Sequence, residues 1–200
     1  MGLVYKGDFM KKYDNILNFY KEYIKMEQVI RKGWLMRSVP AERLESVADH
    51  TLQLIMLASI ITKELNLSFD MKKLTDMLMV HDLGEIIIGD VSEVEVDRDI
   101  KKAHEREAVR LLLDNLSPPT ANYYYGLWVE MDEKTTEISK FAYLLDKLDA
   151  VIKSQIYEEQ FNVEGLFAEF FGFQKEKETF DKSCLEELFN YLNTNTKKEG

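Results

Sequence analysis

The chain predicts an all-α fold, one compact helical bundle, on three observations. Apolar residues recur at helical spacing along most of its 200 residues. Capping residues and Gly or Pro breakers separate those periodic stretches. No run combines strict alternation with turn chemistry, and Glu85 to Val91, with Ile86, Ile87 and Ile88, is the one β-branched cluster.

The elements follow in order. Phe9, Tyr13, Ile16, Leu17, Tyr20, Tyr23, Ile24, Val29 and Ile30 form one face of an amphipathic helix that Gly33 ends. Trp34 to Pro40 reads as a connecting loop. Ser46 caps the next helix, with Asp49 reaching back to complete a capping box. That helix runs to about Leu65, is apolar on most sides and is expected to be central, with His50 near its start. Asp70 caps a helix from Met71 to about Ile86, which carries His81 and Asp82 and which Gly89 closes. The acidic segment Asp90 to Asp97 reads as loop, and Asp97 caps a helix to about Leu113.

Ser117-Pro118-Pro119-Thr120 starts a short helix through Trp128. Thr136 opens a long helix, Glu137 to about Glu159, carrying Asp146 and Asp149. After Asn162-Val163-Glu164-Gly165 comes a stretch rich in phenylalanine (Phe167, Phe170, Phe171, Phe173). Ser183 and Glu186 are read as the capping box of a last helix, and the polar tail is expected to fray. The predicted organisation is one domain over 1–200, with a core at about 31–159, a helical extension at 160–193 and a tail at 194–200.

Composition excludes several classes. Apolar residues make up 46% of the chain, enough for a sizeable core. The net charge of −10 argues against a nucleic-acid polymer as partner. No stretch is long and apolar enough for a membrane span, and the first residues lack the block of a signal peptide. The single cysteine, Cys184, fits a reducing compartment. It is expected to pack within the C-terminal helix. A cytoplasmic location is therefore expected. Arg31, Lys32, Arg37 and Arg43 cluster ahead of His50, which suits one small anion or, equally, a solvated loop of mixed charge.

Two of the three histidines fall in one set with two carboxylates: His50, His81, Asp82 and Asp146. Mixed nitrogen and oxygen ligands suit a hydrolytic divalent metal. All four lie in apolar helical stretches, where an unpartnered charge would cost several kcal/mol. On a continuous helix His81 and Asp82 point about 100° apart, so an ion would sit in the crevice between them. Glu85, four residues after His81, shares that face and could move a proton. Asp149 shares the face of Asp146, either as acceptor behind a ligand or in an ion pair with Lys147 or Lys153. His104 belongs to a charged stretch and is expected at the surface, and Trp128 in the core. The nine methionines and the phenylalanine cluster read as core or oligomer contact.

Three segments then carry a resemblance: Glu45-Ser46-Val47-Ala48-Asp49-His50; His81-Asp82-Leu83-Gly84-Glu85 with Gly89-Asp90; and Leu145-Asp146-Lys147-Leu148-Asp149. They resemble the successive motifs of the HD-domain phosphohydrolases, above all the branch with the bacterial 5′-deoxynucleotidases and their archaeal and eukaryotic relatives. Gly33-Trp34, Arg37 and Leu127-Trp128-x-Glu130 resemble that branch too, and the match runs from about Arg31 to Glu159. The resemblance implies that His50, His81, Asp82 and Asp146 hold one divalent metal ion. In that branch the ion is often Mn2+ or Co2+, with Mg2+, Zn2+, Ni2+ or Fe2+ as other candidates. It further implies that Glu85 handles the proton and Asp90 helps to place the substrate or the water.

In the same branch an Arg directly precedes the Trp and contacts the phosphate. Gly33 stands there in this chain, leaving Arg31 or Arg37 for that contact and Trp34 for the pocket wall. The implied activity is removal of the 5′-phosphate from (deoxy)nucleoside monophosphates, a small-molecule nucleotide substrate, with a homodimer as the implied assembly. Two other readings stay open: an HD-type phosphohydrolase of cyclic, triphosphate or guanosine tetraphosphate-type nucleotides, and a metal- and nucleotide-binding module without turnover.

Overall fold

A computed structural model describes residues 6–91 and 97–195. Helices follow one another throughout, and among the described residues the one extended pairing is an isolated bridge between Ile30 and Ser46. The all-α expectation holds.

The N-terminal helix α1 (Lys6–Tyr23) continues into a 3₁₀ turn, Ile24–Gln28, not into the single long helix expected to Ile30. Val29 and Ile30 are instead recruited to the bridge. Val47 N–H donates to Val29 O at 2.8 Å and Arg31 N–H to Glu45 O at 3.1 Å. Those bonds fasten the segment before α2 (Lys32–Leu35) across the start of α3 (Val47–Glu64). The expected loop at 34–40 thus begins inside a short helix. Tyr13, Ile16, Leu17 and Tyr20 of α1 are exposed, so the apolar face read from the sequence is only partly covered.

Helix α3 starts as predicted. Ser46 accepts from Asp49 N–H, and the Asp49 carboxylate accepts from Ser46 N–H. One face buries His50, Leu54, Ala58 and Ile61 against α4 (Met71–Val80), while Leu52, Met56 and Ile60 on the other are exposed. The helix is central on one side only.

The largest departure from the sequence reading is at His81-Asp82. The expected helix to Ile86 stops at Val80, and residues 81–84 form tight turns before a one-turn helix α5 (Glu85–Ile88). Side chains take the carbonyls that a continuing helix would need. His81 Nδ1 donates to Leu78 O at 2.7 Å, and Trp128 Nε1 donates to His81 O at 3.1 Å. The backbone responds with tighter bonds, Leu83 N–H to Val80 O and Glu85 N–H to Asp82 O. Gly84 permits close approach here: a Cβ on it would lie 3.2 Å from Glu105 O. Gly89 (φ +76°) then ends α5, as expected of a glycine in that conformation.

The loop expected after Asp90 falls at 92–96, outside the described residues. Helix α6 (Arg98–Leu113) is capped by Asp97, and α7 (Pro118–Glu133) runs five residues past the predicted Trp128, to a left-handed cap at Lys134. Helix α8 (Glu137–Phe161) has a Thr136 cap and carries Asp146 and Asp149. Leu54, Leu78, Leu83, Trp128, Phe141, Leu145 and Leu148 meet in one core. Each such side chain contributes roughly 1.5–3 kcal/mol by leaving water.

The phenylalanine stretch is helix α9 (Leu166–Glu176), from which Phe170 stacks on Trp34 at 4.7 Å. Helix α10 (Glu186–Asn195) follows, but the predicted Ser183–Glu186 box does not form. Ser183 Oγ takes Leu185 N–H and Glu186 takes Lys182 N–H, because Glu186 is already the first helical residue. Cys184 lies in the preceding turn and is exposed, not packed in a helix.

Candidate metal centre

Two imidazoles face one another across the gap between α3 and the 81–84 turn, ring centroids 5.4 Å apart. Each has its Nδ1 committed on the far side. His50 Nδ1 lies 2.9 Å from Asp149 Oδ2, and His81 Nδ1 bonds Leu78 O. Both partners are acceptors, so the proton of a neutral ring resides on Nδ1 and the Nε2 lone pair is free.

Those Nε2 atoms converge with carboxylates. His81 Nε2 is 3.1 Å from Asp82 Oδ2; His50 Nε2 is 3.9 Å from the same oxygen and 3.3 Å from Asp146 Oδ1. Despite these separations, His50 Nε2, His81 Nε2 and Asp82 Oδ2 are buried and make no hydrogen bond among the described residues. Their lone pairs aim at the space between them. Ligands about 2.1 Å from one ion stand roughly 3–4 Å apart, which is the spacing seen. The residues therefore fit a divalent cation. His50, His81 and Asp82 each offer an atom within 4.8 Å of the others. Asp146 joins through His50, with its second oxygen 2.8 Å from Lys147 Nζ.

A second acidic group surrounds His50: Glu45, His50 and Asp149. It reaches the ring from its Nδ1 side. Glu45 is occupied elsewhere, accepting from Trp34 Nε1 at 2.9 Å and facing Lys153 Nζ at 3.1 Å and Arg31 Nε at 3.7 Å. This set orients the imidazole and the cavity wall. Asp149 is the acceptor behind a candidate ligand; Lys147 pairs with Asp146 and Lys153 with Glu45.

Electrostatics match the geometry. Burial and the Arg31 guanidinium push the His50 pKa down, but the neighbouring Asp146 and Asp149 carboxylates outweigh them and raise it to about 9. Burial works against the Asp82 carboxylate, yet His81, His50 and Arg31 hold it well below the usual range. Asp146 is likewise held low, by Lys147 and His50 against burial. Glu85 goes the other way. Its carboxyl is buried, Oε2 has no hydrogen-bond partner among the described residues, and burial, then Asp82 and Asp90, raise its pKa well above 4.5. A buried carboxyl with a raised pKa is matched to proton transfer.

Two cavities open at this cluster. The smaller, about 310 Å3, is lined by Arg31, Trp34, Arg37, Glu85, Asp90 and Asp146 among others. Arg31 Nη1 lies 3.5 Å from Asp82, and Arg37 pairs with Glu169 at 2.7 Å. Asp90 Oδ2 receives Gly33 N–H at 3.5 Å, so Gly33 meets the acid through its backbone. Lys32 and Arg43 of the basic segment are exposed. The larger cavity, about 500 Å3, shares Asp82, Lys101, Glu105 and Lys147 with the smaller one and extends over Trp128 and Tyr143. His104 is exposed and Trp128 buried, as the sequence led us to expect.

The sequence reading did not single out Glu45, Lys101 or Glu105, and it named Lys147 only as a possible partner of Asp149. Glu45 and Lys147 sit within the motif segments already quoted, directly before Ser46 and directly after Asp146. Lys101 and Glu105 gave no signal, since they belong to a helix that reads as charged surface and line the cavities only because that helix packs closely on Gly84 at Glu105.

An all-helical bundle that brings two imidazoles and one carboxylate within ligand distance of one another, with a second carboxylate beside His50, has the donor set of a divalent-metal protein. The chain belongs to the HD domain family, whose model matches residues 24–195. It is 30% identical to the 5′-deoxynucleotidase HDDC2 of Bos taurus over 78% of this chain and 75% of that one. Among solved structures it resembles a conserved hypothetical protein from Pyrococcus furiosus (TM-score 0.72, 25% identity, 89% of this chain and 99% of that one). It also resembles a predicted metal-dependent phosphohydrolase from Magnetospirillum magnetotacticum (TM-score 0.60, 25% identity, 71% of each chain).

Three expected results test the centre. An imidazolium offers no lone pair, so cation affinity should rise with pH up to about 9 and level off above it. The raised pKa means that the His50 proton stabilises the metal-free protein below about 6.5 and that this contribution is lost as pH climbs toward 9. Titration with a chromogenic chelator at several pH values reads the first, and melting temperature the second. A pH-independent affinity would remove His50 from the ligand set. Asp149→Ala should weaken cation binding about 10–100-fold by freeing the ring to turn. Unchanged affinity would reduce Asp149 to a packing role.

Proposed function

We propose that this chain is a divalent-metal-dependent phosphomonoesterase that removes the 5′-phosphate from deoxynucleoside monophosphates. The observation that carries the reading is the convergence of His50 Nε2, His81 Nε2, Asp82 and Asp146 beside a buried carboxyl, Glu85, with its pKa raised. His50, His81, Asp82 and Asp146 are the ligands in this reading. When bound, a divalent cation, Mn2+ or Co2+ by preference, supplies Lewis acidity to the phosphoryl group and the attacking water. Glu85 accepts the proton of that water and returns it to the departing 5′ oxygen. Arg31, fixed between Asp82 and Glu45, orients the phosphate, and Arg37 with Trp34 lines the approach. Asp90, held against the Gly33 amide, positions the substrate or the water. The similarity to the curated 5′-deoxynucleotidase supports the choice of substrate.

A cytoplasmic location belongs to the same proposal, supported by the lone cysteine. No described helix is long and apolar enough to cross a membrane. The exposed Leu52, Met56 and Ile60 on α3 support a homodimer, to be read by sedimentation.

The test is phosphate release from a panel of nucleotides with Mn2+ or Co2+. Release from deoxynucleoside 5′-monophosphates, abolished by chelation and restored by the metal, is the expected result. Preference for a cyclic nucleotide, a triphosphate or a tetraphosphate signal would move the chain to another HD-type reaction. Tight nucleotide binding with no release under any metal would leave a binding module.

A further inference from the structure

We propose that Lys147 is a further catalytic residue, whose ammonium group, together with the Arg31 guanidinium, holds the scissile phosphate by its non-bridging oxygens. This inference rests on the phosphomonoesterase reading for the bond that breaks, and it assigns the charges that receive the anion. Each carboxylate of the ligand set is backed by one basic side chain. Arg31 Nη1 lies 3.5 Å from Asp82 Oδ2, and Lys147 Nζ lies 2.8 Å from Asp146 Oδ2. A divalent cation held by His50, His81, Asp82 and Asp146 draws on those same two carboxylates. Their negative charges then offset the cation, and the charges of Arg31 and Lys147 are left for a ligand to match. A phosphate monoester carries about −1.5 to −2 at pH 7.

The other basic groups of the smaller cavity are engaged away from the ligand set. Arg37 pairs with Glu169 at 2.7 Å and lies over the Phe170 ring at 4.8 Å, and Lys101 pairs with Glu105 at 3.5 Å. Neither acid is a candidate ligand, so binding of a cation releases neither group. Glu45 does not hold Arg31 back either. Lys153 Nζ stands 3.1 Å from Glu45 Oε2, nearer than Arg31 Nε at 3.7 Å from Oε1, so the Glu45 charge is balanced without the guanidinium.

Position agrees with charge. Lys147 lines both cavities, as do Asp82, Lys101 and Glu105, and Arg31 lines the smaller one beside it. Asp146 serves two neighbours at once, with Oδ1 3.3 Å from His50 Nε2 and Oδ2 beside Lys147. The ammonium group therefore stays next to the ligand set while Oδ1 is in use. It has three N–H donors, and its bond to Asp146 takes one of them. In the reaction the water oxygen bonds to phosphorus as its proton passes to Glu85. The bond from phosphorus to the 5′ oxygen breaks, and that oxygen takes the proton from Glu85. Lys147 stays protonated throughout. Its contact stabilises the charge that spreads over the non-bridging oxygens in the transition state.

Lys147→Gln and Lys147→Arg test this at saturating Mn2+. In Lys147→Gln, kcat/KM on deoxyadenosine 5′-monophosphate should fall and inorganic phosphate should inhibit more weakly, each by about 10–100-fold, the usual worth of a charged hydrogen bond. Lys147→Arg keeps the charge and should recover most of both. Mn2+ affinity separates this role from a supporting one. Removing a positive charge beside the ligands leaves Mn2+ binding unchanged or tighter, whereas losing a side chain that merely steadies Asp146 weakens it. A phosphate inhibition constant unmoved in Lys147→Gln overturns the proposal. So does a phosphate loss matched by an equal loss of Mn2+ affinity, or a Lys147→Arg variant as weak as Lys147→Gln. If the parent protein releases phosphate from no substrate, the reaction is misread and binding alone judges the contact. The Mn2+-loaded parent must then bind inorganic phosphate at least about tenfold more tightly than Mn2+-loaded Lys147→Gln, and equal affinity overturns the contact as well.

Discussion

Asp82→Ala is expected to lower phosphate release at least about a thousandfold and to abolish stoichiometric cation binding. The side chain is the common neighbour of both imidazoles, 3.1 Å from His81 Nε2 and 3.9 Å from His50 Nε2. It also lies 3.5 Å from Arg31 Nη1. Removing it deletes one anionic ligand and leaves the guanidinium facing the place where a cation must sit. Several kcal/mol of charge stabilisation are lost, and at about 1.4 kcal/mol per tenfold that amounts to three or more orders of magnitude. Elemental analysis of the purified variant and a phosphate-release assay read the two effects together. Activity within tenfold of the parent protein would sink the ligand assignment.

The second large effect is Glu85→Gln, which should reduce kcat by about 10²–10⁴-fold while cation binding stays within a few-fold. Gln keeps the shape and removes the exchangeable proton, so the loss falls on the chemical step. The same variant should be more stable than the parent in the metal-free form at neutral pH. With its folded pKa raised above 4.5, Glu85 favours the folded state below that value and withdraws its contribution as pH rises toward the folded pKa. The amide of the variant has no such titration. Lower activity with a higher melting temperature at pH 7 is the signature of a residue kept for chemistry at a cost in stability. A fall in both would point to a packing role.

Periodicity and caps made most helices legible. Ser46-Asp49, Asp70, Asp97 and Thr136 cap helices α3, α4, α6 and α8 as read, because those caps are local bonds within three residues of sequence. The helix through His81 was misread because part of what ends it is not local. Trp128 lies 47 residues away and takes the His81 carbonyl, an event with no trace in the residues flanking His81. The same holds for Val29 and Ile30, whose helical pattern yields to the bridge with Ser46. The Ser183–Glu186 box failed for a smaller reason, since the helix begins later than its motif implied.

Sequence by itself determined the fold class, the core-facing pattern of the long helices and the short list of residues able to carry chemistry. Helical period, capping chemistry and side-chain type are properties of neighbouring residues, and they survive without knowledge of the rest of the chain. The tertiary structure alone decided which way each imidazole points, what holds its other nitrogen, and which lysines share a cavity with it. Direction and proximity depend on contacts between helices far apart in the chain. The Asp149 bond to His50, the Trp128 bond to His81 and the approach of Glu105 to Gly84 exist only once the bundle has closed.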